Sequence, residues 1–272
     1  MGMTAINPLL VSILIFAFVA VLSWAVTARR GSSAWLDRLW SILPIIYGWV
    51  FAAAAGLADP RLNMLAILVT AWGVRLTFNY ARKGGYKRGA EDYRWGTVRN
   101  RLNRTQWFFF HALFISVYQQ ALLLLLVLPA WTAYEHRAPL GWSDWLFAAV
   151  FLLLLVGEGT ADGQQWRFQQ RKKDAVAAGQ PLADGFISTG LFRLSRHPNL
   201  FCEIMMWWVF YVLGAIAVGE PFSWTILGTV LLTAQSIGST VMAESISGAK
   251  YPGYAAYRAR TSRLLPWPPR AR

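Results

Sequence analysis

The run LLVSILIFAFVAVLSWAVT at residues 9–27 carries no charged side chain and is long enough to cross a lipid bilayer as a helix. Six further, predominantly apolar runs follow it, each close to the roughly 20 residues that one crossing requires. They are Trp40–Leu57, Leu62–Tyr80, Trp107–Leu128, Trp145–Asp162, Leu200–Val218 and Phe222–Met242. The sequence therefore predicts an all-α fold, a polytopic membrane bundle of about seven transmembrane helices.

The composition agrees with a membrane protein. Of the 272 residues, 56% are hydrophobic and 14% are charged, whereas roughly a quarter of the residues in a soluble domain are charged. The single cysteine, Cys202, excludes a disulfide framework. One integral membrane domain is expected over 1–272, with residues 1–106 on the substrate side and residues 107–272 on the cofactor side. The first run is expected to be a retained helix, because the basic pair Arg29–Arg30 follows it instead of preceding it.

Basic residues are distributed unevenly between the loops. The net charge is +13, and 23 of the 26 Lys and Arg residues fall in segments 28–39, 81–106, 165–199 and 243–272. Cytoplasmic loops collect Lys and Arg, so an N-out, C-in protein is expected, with a bacterial inner membrane as its location and the site facing the cytoplasm. The charge is explained by orientation in the lipid bilayer, and no nucleic acid is expected as a partner.

A polar stripe follows one face of the fifth predicted helix. Glu158, Asp162, Gln165 and Gln169 recur at i, i+4, i+7 and i+11, which places them on one helix face. Ionisable residues within a span are costly and usually face the bundle interior. Two carboxylates on one stripe indicate a binding site, and a structural hydrogen-bond network between helices is the alternative.

A second polar segment opens the sixth predicted helix. Pro198 suits the first helical turn, and Ser195 or His197 is expected to cap it. The free backbone N–H groups there, beside Arg193 and Arg196, favour a phosphate or another anionic group. The helix then carries a polar face into the membrane at spacing i, i+4 and i+8: Asn199, Glu203 and Trp207.

A third polar set lies on the third predicted helix, where Arg75, Asn79 and Arg82 recur at i, i+4 and i+7. Arg75 is two turns deeper than Arg82 and needs an acidic partner. The candidate partners are Glu158, Glu203 and Glu244. A structural ion pair and a contact with substrate or cofactor both remain open.

Several of these residues belong to motifs that resemble the steroid 5-alpha-reductase superfamily, in its bacterial branch of uncharacterised membrane proteins. The motifs are Glu158-Gly-Thr-Ala-Asp162-Gly-Gln164, Gly190-Leu-Phe-Arg-Leu-Ser-Arg-His-Pro-Asn199, Glu203 with Trp207-Trp208, Glu244, and Pro252-Gly-Tyr-Ala-Ala-Tyr257 through Pro266-Trp-Pro-Pro269. Isoprenylcysteine methyltransferases share the Arg-His-Pro pattern followed by a glutamate. The resemblance implies seven membrane helices, NADPH held among the C-terminal helices, and hydride delivery to the carbon–carbon double bond of an enone lipid.

The resemblance also assigns residues. Four positions match cofactor-binding positions of the family: Asp162, Asn199, Glu203 and Trp207. Glu158 stands where the reductases have Asn, and Glu244 where they have Tyr. The candidate cofactor-binding residues are Glu158, Asp162, Arg167, Arg171, Arg196, His197, Asn199, Glu203, Trp207, Glu244 and Tyr254. Among them, Arg167 and Arg171 are assigned to phosphates.

The N-terminal half departs from the family. The reductases carry a Gln-Glu pair before a Leu-Pro in the second helix, and Ser41 and Ile42 stand there in this sequence. The family tyrosine that helps to protonate the substrate aligns with Asn79. The candidate proton donors are Tyr47, Tyr80 and Tyr93, and the candidate substrate contacts are Arg75 and Asn79.

Three functions remain open from the sequence. The first is an NAD(P)H-dependent reductase, an oxidoreductase acting on the carbon–carbon double bond of an unsaturated, enone or steroid-like lipid. The second is an S-adenosylmethionine-dependent methyltransferase of a lipid or lipidated substrate, favoured by the added acids Glu158 and Glu244, because carboxylates attract a sulfonium cation. The third is a non-catalytic membrane protein that keeps the fold. No metal site is predicted, and the oligomeric state is left open.

Overall fold

The computed structural model describes residues 7–30, 34–87, 98–99, 101–180, 182 and 184–270. Seven helical segments in this part of the chain are long and apolar enough to cross a membrane, which confirms the predicted all-α bundle and its number of spans. The α-helices are α1 (Pro8–Arg30), α2 (Ala34–Leu39), α3 (Leu43–Ala54), α4 (Pro60–Arg82), α5 (Arg104–Phe109), α6 (Gln119–Glu135), α7 (Trp142–Ala177), α8 (Pro198–Val218), α9 (Leu227–Lys250) and α10 (Tyr254–Arg260).

The helix ends follow from local sequence chemistry. α4 begins at Pro60, and the Asp59 carboxylate before it accepts hydrogen bonds from the backbone N–H groups of Arg61 (2.9 Å) and Leu62 (3.0 Å). α8 begins at Pro198, as predicted. α7 continues past its apolar run and through the predicted polar stripe to end at Ala177, since a helix that leaves the bilayer no longer needs apolar side chains.

A π-helix over Phe110–Tyr118 joins α5 and α6 into one membrane-crossing segment, Arg104–Glu135. The rings of Phe110, Phe114 and Tyr118 stack along it with centroids 5.0 Å apart. Segments of this kind are rare and often occur at functional sites. Nothing in the amino-acid pattern predicts this change of winding.

The described chain forms two compact units. The first unit comprises Met1–Ala148 and Phe210–Thr229, and the second comprises Ala149–Val209 and Val230–Arg272. In the first unit α3 packs against α4 and α6, and α1 also packs against α6. Close approach of the last part of α8 requires Gly214, because a methyl group there would lie 2.5 Å from the carbonyl oxygen of Pro129.

A buried ion pair stabilises one end of the first unit. The Arg61 guanidinium donates from Nε (2.9 Å) and Nη2 (2.8 Å) to the two carboxylate oxygens of Asp144, and both side chains are almost completely buried. Arg61 also donates to the carbonyl oxygens of Ala138 (3.3 Å) and Pro139 (3.2 Å). The pair therefore holds the start of α4, the start of α7 and the loop before α7 together.

The second unit contains most of α7, the first part of α8, most of α9 and the C-terminal tail, residues 251–270. α7 and α8 run antiparallel, and a methyl group at Gly157 would lie 3.1 Å from the Cys202 sulfur. The Trp208 indole N–H donates to the Thr233 hydroxyl at 3.2 Å and links α8 to α9. These contacts bring the predicted polar faces of α7 and α8 together.

Candidate functional site

The two predicted polar faces meet inside the second unit. The Asn199 amide donates to the Asp162 carboxylate at 3.5 Å, and Asp162 is only 3% exposed. One turn deeper, the Trp207 indole N–H donates to the Glu203 carboxylate at 3.0 Å. Glu158 lies one turn deeper on α7 and is also buried. We call these five residues the interhelical polar cluster: Glu158, Asp162, Asn199, Glu203 and Trp207.

The antiparallel packing explains why the cluster forms. Gly157 faces Cys202 and Asp162 contacts Asn199. Each step forward along α7 is therefore matched by a step backward along α8. Glu158 and Glu203 therefore share a level, each one turn from the Asp162–Asn199 contact on the same helix face. The structure thus places three carboxylates on two facing helices within the membrane-crossing segments. Ionisable residues within membrane-crossing helices are rare and often mark functional sites.

Arg196 and Glu244 form the second buried feature. The Arg196 guanidinium donates from Nε (2.8 Å) and Nη2 (3.1 Å) to the two carboxylate oxygens of Glu244. Its remaining nitrogen, Nη1, donates to the carbonyl oxygens of Arg258 (2.8 Å) and Thr261. Every nitrogen of this guanidinium is therefore used within the protein, and Glu244 holds Arg196 in place. The assignment of both residues to a cofactor stays a prediction.

His197 contacts the same carboxylate. Its Nε2 lies 3.1 Å from Glu244 Oε1, and its backbone N–H donates to the Ser195 hydroxyl at 3.2 Å. Burial lowers the pKa of His197 below its usual value, and the positive charges of Arg196 and Arg263 add to this effect, although Glu244 opposes it. His197 thus belongs to the structural group around Glu244 and directly precedes α8.

The low pKa of His197 predicts a dependence of stability on pH. The unfolded chain takes up a proton at about pH 6.5, where the folded protein does not, so the free energy of unfolding should fall as the pH drops through this window. In His197→Gln this slope should be smaller. Melting curves in mild detergent between pH 5 and 8 measure it, with the exposed-residue variant His136→Gln as the control. Equal slopes in His197→Gln and the unmodified protein would contradict the prediction.

The C-terminal tail folds back on the loop that precedes α8. The backbone N–H groups of Arg196 and His197 donate to the carbonyl oxygens of Ser262 (2.9 Å) and Arg263 (3.1 Å). Two further bonds join the same segments, from Trp267 N–H to the Leu194 carbonyl at 3.0 Å and from the Ser195 hydroxyl to the Leu264 carbonyl at 2.7 Å. The tail is therefore an integral part of the second unit.

The tail also carries an aromatic cluster. Tyr254 is buried, with its ring perpendicular to that of Phe186 at 5.1 Å, and Tyr257 stacks on Phe186 at 5.3 Å. Burial, reinforced by the negative charge of Glu244, raises the pKa of Tyr254 to about 12. Tyr254, predicted as a cofactor residue, thus contributes a neutral phenol to a packed cluster.

Sequence reasoning missed a contact between the end of α7 and the tail. The Lys172 ammonium donates to the Tyr251 hydroxyl and to the Gly185 carbonyl, both at 2.6 Å. Burial opposes ionisation of Tyr251, but the hydrogen bond and charge of Lys172, with the charge of Lys250, lower its pKa overall. The only signal in the sequence was the basic run Arg171-Lys172-Lys173 near the end of a long helix.

The two arginines assigned to phosphates lie away from the cluster. Arg167 and Arg171 are exposed on α7, and they follow Asp162 by five and nine residues, which turns them to the opposite side of the helix. The structure therefore does not bring Arg167 and Arg171 beside Asp162. Their role as phosphate ligands stays a prediction.

The candidate substrate residues lie in the first unit. Asn79 is buried and accepts a hydrogen bond from Arg82 Nε at 2.9 Å, and Arg75 is half-buried one turn earlier on α4. Ser41, which with Ile42 stands in place of the Gln-Glu pair of the reductases, hydrogen-bonds Thr77 on α4 at 2.7 Å. Arg75 belongs to the first unit and its three candidate partners to the second. The candidate partner Glu244 is engaged by Arg196.

The candidate proton donors have different surroundings. Tyr47 is completely buried in α3, and its hydroxyl has no hydrogen-bond partner among the described residues. Tyr80 is half-buried at the end of α4, with its ring perpendicular to that of Tyr86 at 5.3 Å. Tyr93 lies outside the described residues. Tyr47 is therefore the candidate whose hydroxyl is available to a buried ligand.

A cavity of about 410 Å³ opens beside the tail. Five arginines line it, and no acidic residue does so in the described part of the chain: Arg196, Arg258, Arg260, Arg263 and Arg270. The sequence predicts anion binding at Arg167, Arg171 and the start of α8, where Arg196 lies. The cavity itself could not be predicted, because only the fold of the tail brings Arg196 together with the other four arginines.

Comparison with known proteins places the chain in a family. Residues 23–261 match the family described as "Protein of unknown function (DUF1295)". The chain is 36% identical over 280 aligned residues to the "Uncharacterized protein C594.04c" of Schizosaccharomyces pombe, an alignment that covers 96% of this chain and 80% of the yeast protein. No solved structure matches it. The chain, whose described part contains seven segments able to cross a membrane and a buried polar cluster, belongs to the DUF1295 family.

Proposed function

We propose that this protein is a membrane-embedded, NAD(P)H-dependent reductase of the carbon–carbon double bond of an unsaturated, enone-like lipid. The interhelical polar cluster carries the proposal, because it gathers carboxylate, amide and indole groups within membrane-crossing helices. The motifs that resemble steroid 5-alpha-reductases include all five of its residues. The family of this chain is itself related to steroid 5-alpha-reductase-like proteins.

The donor set of the cluster fits a nicotinamide cofactor. Carboxylates such as Asp162 and Glu203 accept hydrogen bonds from ribose hydroxyls and from a carboxamide N–H, and the Asn199 amide both donates and accepts. The cofactor supplies a hydride when it is bound, while the protein supplies binding, orientation and electrostatics. The phosphates are assigned to Arg167 and Arg171, which lie further along α7 and are exposed to solvent.

Reduction of an enone also requires a proton. When a hydride adds to the β-carbon, the π electrons move to the carbonyl oxygen, and the resulting enolate takes up a proton at the α-carbon. Tyr47 is the donor that we favour, since its hydroxyl is buried and without a partner among the described residues. Arg75 and Asn79 are the proposed polar contacts of the substrate.

A methyltransferase is the second candidate. The buried acids Glu158, Asp162 and Glu203 favour a cationic ligand, and S-adenosylmethionine carries a sulfonium and an ammonium group. Arg167 and Arg171, which are assigned to the phosphates, lie on the opposite side of α7 from Asp162. The two functions therefore differ in the ligand that the interhelical polar cluster binds.

We place the basic end of the bundle in the cytoplasm, because 23 of the 26 Lys and Arg residues fall in the four segments that the predicted topology assigns to one side. The bacterial inner membrane is the proposed location. The yeast relative indicates that similar chains also occur in a eukaryote.

Ligand-dependent stability tests the proposal. The purified protein should melt at a higher temperature with NADPH or NADH and not with S-adenosylmethionine or S-adenosylhomocysteine. A ligand at 100 times its dissociation constant adds about 2.7 kcal/mol to the free energy of unfolding. In Asn199→Ala and Glu203→Gln the dissociation constant of the nicotinamide cofactor should rise roughly tenfold to hundredfold, since a hydrogen bond to a charged group contributes about 1.5–3 kcal/mol.

The control is Thr160→Val, which changes an exposed side chain on the opposite side of α7 from Glu158. It should leave cofactor binding unchanged. Stabilisation by S-adenosylmethionine alone would establish the methyltransferase in place of the reductase. The absence of any ligand response would reject both enzymes and favour a non-catalytic protein.

A further inference from the structure

We propose that the arginine-lined cavity beside the tail binds the phosphate group of an anionic phospholipid. The cavity has a volume of about 410 Å³, within the roughly 300–1,000 Å³ of small-molecule sites. Every residue that lines the cavity except Arg196 belongs to the tail, and the inference does not depend on the reaction proposed above.

The charge balance of the cavity favours an anion. Arg196 is neutralised by Glu244, and Arg263 lies 3.6 Å from the same carboxylate. Arg258, Arg260 and Arg270 make no ion pair with an acid in the part of the chain that the structure describes. Guanidinium groups held close together repel one another, and a phosphate relieves this repulsion with short, charge-assisted hydrogen bonds.

The backbone of the cavity is organised in advance. The Arg270 backbone N–H donates to the Arg260 carbonyl at 3.0 Å, so the backbone positions that carry these two arginine side chains lie next to each other. The Arg258 carbonyl accepts from the Arg196 guanidinium at 2.8 Å. A ligand that binds here therefore has to fix only the arginine side chains, because the backbone of the tail is already held in place.

The position of the cavity favours a lipid over a soluble phosphate. It lies where α8 begins and α9 has just ended, so it is at the end of two membrane-crossing helices. Leu265 and Trp267 also line it, and their side chains are 58% and 64% exposed. Tryptophan prefers the headgroup level of a bilayer, so these two residues can contact acyl chains while the arginines hold the phosphate.

Binding of short-chain lipids in neutral detergent tests the proposal. Dioctanoyl-phosphatidylglycerol should raise the melting temperature in a saturable way, and dioctanoyl-phosphatidylcholine should not. In Arg260→Gln/Arg270→Gln the dissociation constant for phosphatidylglycerol should rise roughly 30-fold, the loss expected for two basic side chains near an anionic headgroup. The control Arg101→Gln/Arg104→Gln removes the same charge from exposed positions of the first unit and should bind as the unmodified protein does.

Two further ligands show whether the cavity binds a lipid or a soluble phosphate compound. Inorganic pyrophosphate and NADPH are tested with the same variants. If either stabilises the protein through Arg260 and Arg270 while phosphatidylglycerol has no effect, the cavity serves a soluble ligand and the lipid proposal is wrong. It is also wrong if both lipids act equally, or if the control variant weakens binding as much as the cavity variant. Arg258→Gln/Arg270→Gln replaces the first variant should that one fail to fold.

Discussion

Replacing Asp144 with Ala is expected to lower the free energy of unfolding by about 3–5 kcal/mol, because the change leaves the Arg61 guanidinium buried without its carboxylate. Both side chains are at most 3% exposed, and the two Arg61–Asp144 hydrogen bonds measure 2.8 and 2.9 Å. Asp144 also accepts from the Gly141 N–H at 2.7 Å, so the loop before α7 should loosen as well. Denaturant or thermal unfolding in mild detergent measures the loss.

Two variants show whether the lost ion pair causes the effect. Asp174→Ala changes an exposed acid on the same helix and should stay within about 0.5 kcal/mol of the unmodified protein. The double variant Arg61→Met/Asp144→Leu removes both charges and should recover most of the stability, because apolar side chains of similar size replace a buried pair well. A loss below about 1 kcal/mol in Asp144→Ala would show that water reaches Arg61 and that the pair is not desolvated.

The seven spans could be predicted because hydropathy and length are local properties of the chain. Each predicted apolar run overlaps one membrane-crossing segment. The π-helix over Phe110–Tyr118 could not be predicted, since its winding depends on packing and has no residue signature. The Arg61–Asp144 pair was missed for another reason, because its partners are 83 residues apart and only the fold brings them together.

The candidate site was predictable where helical periodicity applies. The spacing of Glu158 and Asp162 on α7 and of Asn199 and Glu203 on α8 identified two polar faces, and the structure brings these faces together. Periodicity could not show that Arg196 is saturated by Glu244. It could not reveal the arginine-lined cavity either, because backbone hydrogen bonds between the tail and the loop before α8 create that cavity, and any sequence can make such bonds.

Replacing Glu244 with Gln is expected to lower the free energy of unfolding by about 3–5 kcal/mol, because Arg196 then stays buried without a counter-charge. The loss should be visible in the same unfolding experiment. Glu220→Gln, which changes an exposed acid, is the matched control and should have little effect. Arg196→Met/Glu244→Leu removes both charges and should be more stable than Glu244→Gln. If the loss came from the changed side chain at position 244 and not from the unpaired Arg196 charge, the double variant would be no more stable than Glu244→Gln.

The sign of the change in lipid affinity decides what Glu244 does for the cavity. Glu244→Gln removes a negative charge close to Arg196 and Arg263, so a rigid cavity would bind phosphatidylglycerol more tightly. We expect weaker binding instead, because Glu244 fixes the guanidinium that holds the carbonyl oxygens of Arg258 and Thr261. Weaker binding identifies Glu244 as a positioning residue that organises the tail. Tighter binding would mean that the backbone bonds of the tail organise the cavity without Glu244.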